Sequence, residues 1–344
     1  MTCHSAETNR GADGNLLQTL TANAPEGEAY SRLEYVALNN NLLESLDVSA
    51  CRRLRYLDLD QNRLQSLEGI ESLINLDELS LRKQDLAGAH TAFAASVLQQ
   101  TLHCRSLYLS SNALSSLDIS NNFHSIQHLE LASCGIADIP SDFGLRFPNL
   151  QTINLNFNAI KDPRPLLNIN NLKNLYLAGN RLARLRKSVA TLAKFSKLRI
   201  LDIRENPFTH GFYAPLANKS TETQIISIRG PAAHHRRNPS LSATQKIRQE
   251  AHLLAEADVT VDAEHVARLD EDTKLRRRVY ELLLANSCKT LSSLDGLGFG
   301  RERIMVKDGV FERLVKLGIV KRSEAGNEGI EKVLEATKEL EGLV

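Results

Sequence analysis

Two stretches of this chain carry the same pattern 22 residues apart. L-x-x-I/L-x-L-x-x-N-x-I/L runs from Leu150 through Ile153, Leu155, Asn158 and Ile160, and again from Leu172 through Leu175, Leu177, Asn180 and Leu182. A unit this short cannot enclose a core alone, so its apolar side must be covered by the next copy. The L-x-L centre reads as a short strand with both leucines facing inward and the residue between them facing out. The asparagine reads as turned inward, its amide and carbonyl satisfying backbone groups at a tight corner, which an aliphatic side chain could not do.

The pattern recurs. Its first anchor falls at Leu33, Leu54, Leu76, Cys104, Ile126, Leu150, Leu172 and Leu198, giving eight coils spaced 21, 22, 28, 22, 24, 22 and 26 residues apart. Period and spelling are those of leucine-rich repeats. The expected fold is α/β: a right-handed leucine-rich-repeat solenoid of about 8 short coils. It has a parallel concave sheet, an irregular or short-helical convex side and a C-terminal helical cap. The asparagine position holds Asn41, Asn62, Asn112, Asn158, Asn180 and Asn206, but Gln84 in coil three and Cys134 in coil five. A thiol can still donate weakly. A glutamine is one methylene too long, so coil three is expected to be distorted, and it carries an insertion of helical composition, Ala87 to Thr101. The phrase L-x-S-L-D-V/I-S in coils one and four makes their convex return extended. Pro163 and Pro165 forbid a regular helix in coil six, while Lys187 to Phe195 has helical composition.

Composition adds bounds. Hydrophobic residues make up 42% of the chain, ample for a core, and a net charge of +1 gives no global pull toward nucleic acid or membrane. No apolar run reaches the roughly 18–20 residues of a bilayer span, and the first thirty residues lack a signal-peptide core. Five cysteines without C-x-x-C, four of them at core positions, read as a reduced, intracellular protein without structural disulfides or zinc.

The flanks divide the chain further. Residues 1–30 form an N-terminal flank, where the patch Leu16 to Leu20 reads as a degenerate half-coil; the weak cap there suggests a chain cut from something longer. The repeats occupy 31–228, with Gln224 to Ile228 a candidate extra strand. A flexible insertion follows at 229–273, with the basic cluster His234-His235-Arg236-Arg237 and a weakly amphipathic helix near Gln245 to Ala257. The repeat cap spans 274–298: a helix from Leu275 to Ala285, then Cys288, Leu291, Leu294 and the turn Asp295-Gly296. The tail, 299–344, reads as two helices, Asp308 to Leu317 and Asn327 to Leu340, each with an N-cap residue at its start.

With this register, three columns of side chains point into the concave face. Site candidates are Tyr35, Tyr56, Asp58, Arg82, Tyr108, Glu130, Asn154, Tyr176, Asp202 and Arg204. Four of the seven tyrosines fall here, and tyrosine is a frequent interface anchor, although it is also a good strand residue. Five acids against two arginines make the face mildly acidic, suited to a basic peptide or helix. Tyr108 and Tyr176 are expected to stand clear of the sheet as the anchors of a docking site.

Signs of catalysis are lacking. Gly296, Gly298 and Gly300 follow the cap and do not open a helix, so they read as a turn. His103 and His124 have no carboxylates at ligand spacing, no metal or cofactor is called for, and nothing resembles G-x-S-x-G. Arg276-Arg277-Arg278 reads as a solvated helix face, since neither a basic groove nor a stacking platform accompanies it. Arg236 and Arg237 before Ser240 form a basophilic-kinase layout, making Ser240 a candidate phosphosite.

The L-x-S-L-D-V/I-S phrase, the basic insertion, the L-S-S-L-D-G cap and the tail Val306 to Val320 together resemble fungal spindle-pole-body scaffolds of the mitotic-exit or septation-initiation network, relatives of animal centriolin. The resemblance covers about Arg32 to Val320. It implies a non-enzymatic scaffold in the cytoplasm and cytoskeleton, at the spindle pole body. The implied partners are spindle-pole-body anchor proteins and network kinase or GTPase components, with no membrane and no nucleic acid. The helix leading to C-x-x-L-x-x-L-D-G also resembles the cap of intracellular short-repeat proteins, and a phosphatase regulator or a ribonucleoprotein component are the alternative readings.

Overall fold

The computed structural model describes residues 9–11, 19–20, 33–84, 97, 100–101, 103–114, 117, 121–215, 252–304 and 306–318. Its strands are β1 (Asn9–Gly11), β2 (Thr19–Leu20), β3 (Tyr35–Ala37), β4 (Ser45–Asp47), β5 (Tyr56–Asp58), β6 (Ser66–Glu68) and β7 (Glu78–Ser80). There follow β8 (Ser106–Tyr108), β9 (His128–Glu130), β10 (Thr152–Asn154), β11 (Asn174–Tyr176), β12 (Ile200–Asp202), β13 (Ser293–Leu294) and β14 (Leu297–Gly298). The odd-numbered early strands, β1, β3, β5 and β7, continue through β8 to β14 as one sheet, while β2, β4 and β6 form a second. The chain is a leucine-rich-repeat solenoid.

The expected register holds across the large sheet. Ala37, Asp58, Ser80, Tyr108, Glu130, Asn154, Tyr176 and Asp202 pair in parallel as one row. Between them the strand leucines Leu57, Leu79, Leu107, Leu129, Leu175 and Leu201 are sealed from solvent, and they join one continuous core. Because each coil presents its leucines at the same height, adding a coil extends this core without enlarging its cross-section.

The inward asparagines form a ladder. Asn180 donates to the carbonyls of Leu155 and Leu177 and accepts from the Ile160 amide at 3.0 Å. Asn62 and Asn158 repeat the arrangement one position along. The expected distortion at Gln84 does not occur. Its Nε2 reaches the Leu59 carbonyl at 2.9 Å and its Oε1 accepts from Leu64 at 3.2 Å, so the extra methylene is absorbed and the bonds are kept. Cys134 donates weakly to Leu109 and Ala132 at 3.4 Å, and its own carbonyl takes the Leu114 amide that an asparagine side chain would have held. All four described cysteines are free and buried, and burial pushes the Cys104 and Cys134 thiols up to about 12, so they act as small apolar fillers.

The convex side follows the proline logic in part. Helices α1 (Phe143–Arg146) and α2 (Leu185–Leu192) line it, and a 3-10 turn at Arg164–Leu166 replaces a helix where Pro163 and Pro165 stand. Coil one returns through extended β4, as its phrase implied. The coil-three insertion lies mostly outside the described residues; at its end Thr101 bonds back to Val97 as in a helix. At the N-terminus β1 and β2 continue both sheets, so a further coil precedes Leu33. The candidate strand 224–228 and the second tail helix lie outside the described residues.

The cap is larger than the sequence suggested. Helices α3 (Val259–Arg268) and α4 (Glu271–Ser287) precede the turn Asp295-Gly296, with Asp258 and Asp270 as their N-caps. Strand β13 then pairs with β12, and β14 ends the sheet antiparallel to it. α5 (Arg301–Ile304) and α6 (Gly309–Lys316) pack on α4, with the Asp308 carboxylate capping α6 and Gly318, at φ 71°, ending it. Of the helix expected near 245–257, residues 245–251 lie outside the described residues, while 252–258 belong to no helix or strand and a helix begins at Val259. From there on the segment expected as a flexible insertion is part of the folded cap.

Candidate functional site

The concave face changes along its length. Over coils one and two, Tyr35 and Tyr56 are half-buried neighbours with ring centroids 6.4 Å apart. Arg55 lies over the Tyr56 ring at 5.7 Å, and Asn39 donates to the buried Asp58 carboxylate at 2.8 Å. Here the rings stand at an accessible surface, as their column requires.

Coils three to five are different. Arg82 is 4% exposed and grips Glu130, two strands away, through Nε to Oε1 at 2.6 Å and Nη2 to Oε2 at 2.9 Å. Its guanidinium also lies 4.4 Å above the Tyr108 ring. The expectation that Tyr108 stands clear of the sheet is overturned: it is 0% exposed, roofed by Arg82 and flanked by the His128 ring at 5.1 Å. Burial would raise the Glu130 carboxyl, but the Arg82 charge and hydrogen bonds outweigh it and bring the group to about 2. Burial pushes His128 down to about 4, so it is neutral, and its Nε2 has no hydrogen-bond partner among the described residues. A bidentate pair in a low dielectric is strong only while both partners remain.

Coils six to eight are crossed by another part of the chain. The His252 carbonyl accepts from Asn154 Nδ2 and Asn156 Nδ2, each at 3.1 Å. The Ala255 carbonyl accepts from Arg204 Nη1 at 3.0 Å, and the Ala257 amide donates to the Gly296 carbonyl at 3.0 Å. Three residues from His252 to Ala255 thus pass from coil six to coil eight. Two strand spacings are about 10 Å, close to the roughly 10 Å that three extended residues reach. The segment turns at His252 and bends at Leu253 before it runs on across the strands to Ala257. Arg204 is fixed by Asp202 at 2.6 Å, and both are buried. Gly296, at φ 80°, sits so close that an added Cβ would lie 2.9 Å from the Ala257 nitrogen. Tyr176, expected to be the second anchor, is half-buried.

The cap arginines are also reassigned. Arg277 is buried and paired with Asp262 at 2.7 Å and Glu281 at 3.0 Å, and donates to the Phe212 carbonyl at 2.6 Å. Arg276 stacks on Phe212 and Arg278 binds Asp308. This run is the fastening between α4, the last coil and the tail, not a solvated face. Beneath it Asp295 accepts from Tyr213 and Tyr280 through Oδ2 and from the Ile203 amide through Oδ1 at 2.8 Å.

The sequence reading missed one surface. An open groove of about 840 Å³ runs along the N-terminal ends of the strands of coils one to five, where Arg53, Arg55, His103, Arg105 and His124 face Glu34 and Asp77. The residues just before each strand (Glu34, Arg55, Asp77, Arg105 and Gln127) and others two or three positions further back (Arg53, His103 and His124) supply it, columns the repeat made legible but whose charge was not tallied. Ile74 is exposed in its wall. Among the described residues no group of three or more His, Cys, Asp or Glu side chains is placed to hold a metal, and no helix is long and apolar enough to cross a membrane. Ser240 lies outside the described residues.

Comparison with known proteins returns the resemblance read from repeats, cap and tail. Over 234 residues the chain is 30% identical to the septation initiation network scaffold protein cdc11 of Schizosaccharomyces pombe, a homologue of which it spans 20% of the length, using 66% of its own. No family model matches the chain. Among solved structures, human 5T4 (trophoblast glycoprotein) aligns with a TM-score of 0.46 at 20% identity, over 58% of this chain and 78% of that one. An internalin of Listeria monocytogenes aligns at 0.44 and 17% identity, over 83% and 79%.

Proposed function

We propose that this leucine-rich-repeat chain, homologous to a septation-network scaffold, is a non-enzymatic interaction module that holds signalling components of mitotic exit or septation at the spindle pole body. The observation that carries this reading is the match to the scaffold itself, which extends over two-thirds of this chain. The architecture supports it, because a stacked array offers long surfaces and its buried polar groups are engaged in holding coils together. Docking uses the surfaces left accessible: Tyr35 and Tyr56 on coils one and two, the basic edge groove, and the C-terminal helices. The buried members of the concave columns (Arg82, Tyr108, Glu130, Asn154, Asp202 and Arg204) build the floor beneath. The partners are spindle-pole-body anchor proteins and network kinase or GTPase components, and Ser240 is a candidate phosphosite in the basic insertion.

The test is fluorescence imaging of the tagged chain in dividing fungal cells, with affinity capture from the same cells. The expected result is a signal at the spindle poles and recovery of network proteins. A diffuse signal from well-folded protein, with no network protein recovered, would overturn the reading.

A further inference from the structure

We propose that the concave groove over coils six to eight is a docking groove for a protein segment that presents main-chain carbonyls to it, and that His252–Ala257 occupies it in cis as a displaceable stand-in. The receptor side is prepared before anything binds. Asn154 Oδ1 accepts from the Asn156 amide and Asn156 Oδ1 from the Ala178 amide, at 3.0 and 2.8 Å. With both oxygens tied to backbone, the two NH2 groups can point only into the groove. Arg204, held by Asp202, offers a third donor two coils further on. All three contact main-chain carbonyls of the crossing segment, so the groove reads backbone and leaves the sequence largely free.

The occupant is an imperfect one. Its recorded hydrogen bonds all run through its backbone, and Ala255 and Glu256 are exposed. The Nε2 of its half-buried His252 is sealed from solvent with no hydrogen-bond partner among the described residues. Burial lowers the pKa of that ring, and the Glu130 and Asp60 carboxylates, both paired with Arg82, do not offset it.

The test is independent of the spindle-pole reading, since it uses the purified chain of 344 residues. His252 to Ala257 is replaced by a glycine-serine segment of equal length. A fluorescein-labelled peptide spanning His252 to Asp258 is titrated by fluorescence polarisation. The expected result is binding to the replaced chain at least tenfold tighter than to wild type. Adding Asn154→Ala and Asn156→Ala should abolish binding. Equal binding to both chains, or no binding to a replaced chain that still melts cooperatively, overturns the proposal. Should the replaced chain fail to fold, amide exchange on wild type decides. The Ala257 amide must exchange at least a hundredfold faster than Leu175 and Leu201; exchange in step with those strands would make the segment a fixed part of the array and end the idea.

Discussion

Coils one and two and coils three to eight share one register, yet different groups cover their concave rows. Tyr35 and Tyr56 stand half-buried one position before the row in which Ala37, Asp58 and Tyr108 are all buried. The difference lies in what stands above each position. In coil three Arg82 reaches across two strands to Glu130 and roofs the tyrosine on the way. In coils six to eight a segment returning from elsewhere covers the floor. Periodicity fixes the direction of a side chain; it does not say whether solvent or protein waits there.

The comparison can be broken most directly at the buried pair. Glu130→Ala leaves Arg82 charged and buried, and should cost roughly 3–5 kcal/mol in urea unfolding; Asp58→Asn, at a buried carboxylate that accepts from the neutral Asn39 amide, should cost far less. If both lose equally, the two regions do not differ in kind. Leu155→Ala and Leu57→Ala test what the regions share. Each strand leucine is fully buried, so both should lose about 2–5 kcal/mol. Asn158→Ala strands the Cys134 and Ile136 amides and should lose about 1–3 kcal/mol; a melting curve like wild type would remove the asparagine ladder from the account.

Acid should separate the regions more gently. His128 titrates at about 4 in the fold against 6.5 for the free side chain, so its contribution is full above about 6.5 and lost as pH falls through 4. Glu130, at about 2 against 4.5, contributes fully above about 4.5 and loses it toward 2. Asp295 is raised by burial and by the Asp202 charge, and so opposes this trend, favouring the fold at low pH. Relative to the His128→Phe variant, the melting temperature of the natural chain should therefore fall between pH 6.5 and 4. The smallest effect on folding is expected for Tyr35→Ala with Tyr56→Ala, about 1 kcal/mol or less. The same double variant should weaken partner capture in affinity pull-downs; undiminished capture would move docking to the edge groove or the C-terminal helices.

The spelling of the repeat alone determined the coils, their register, the inward asparagines and the existence of a cap. Each of these is fixed by residues within one period or between adjacent coils, and their spacing records it. Gln84 shows the limit of even local reasoning, since its side chain keeps both bonds despite a methylene that inspection judged too long. Tertiary structure alone decided which concave residues are accessible. Asn154 meets His252 from 98 positions away, and Arg277 finds Asp262 on a helix the sequence reading had left in a flexible insertion. Such contacts leave no period in the chain, because they depend on where a non-repeating segment comes back to the array, and burial of charge is settled at that point of return.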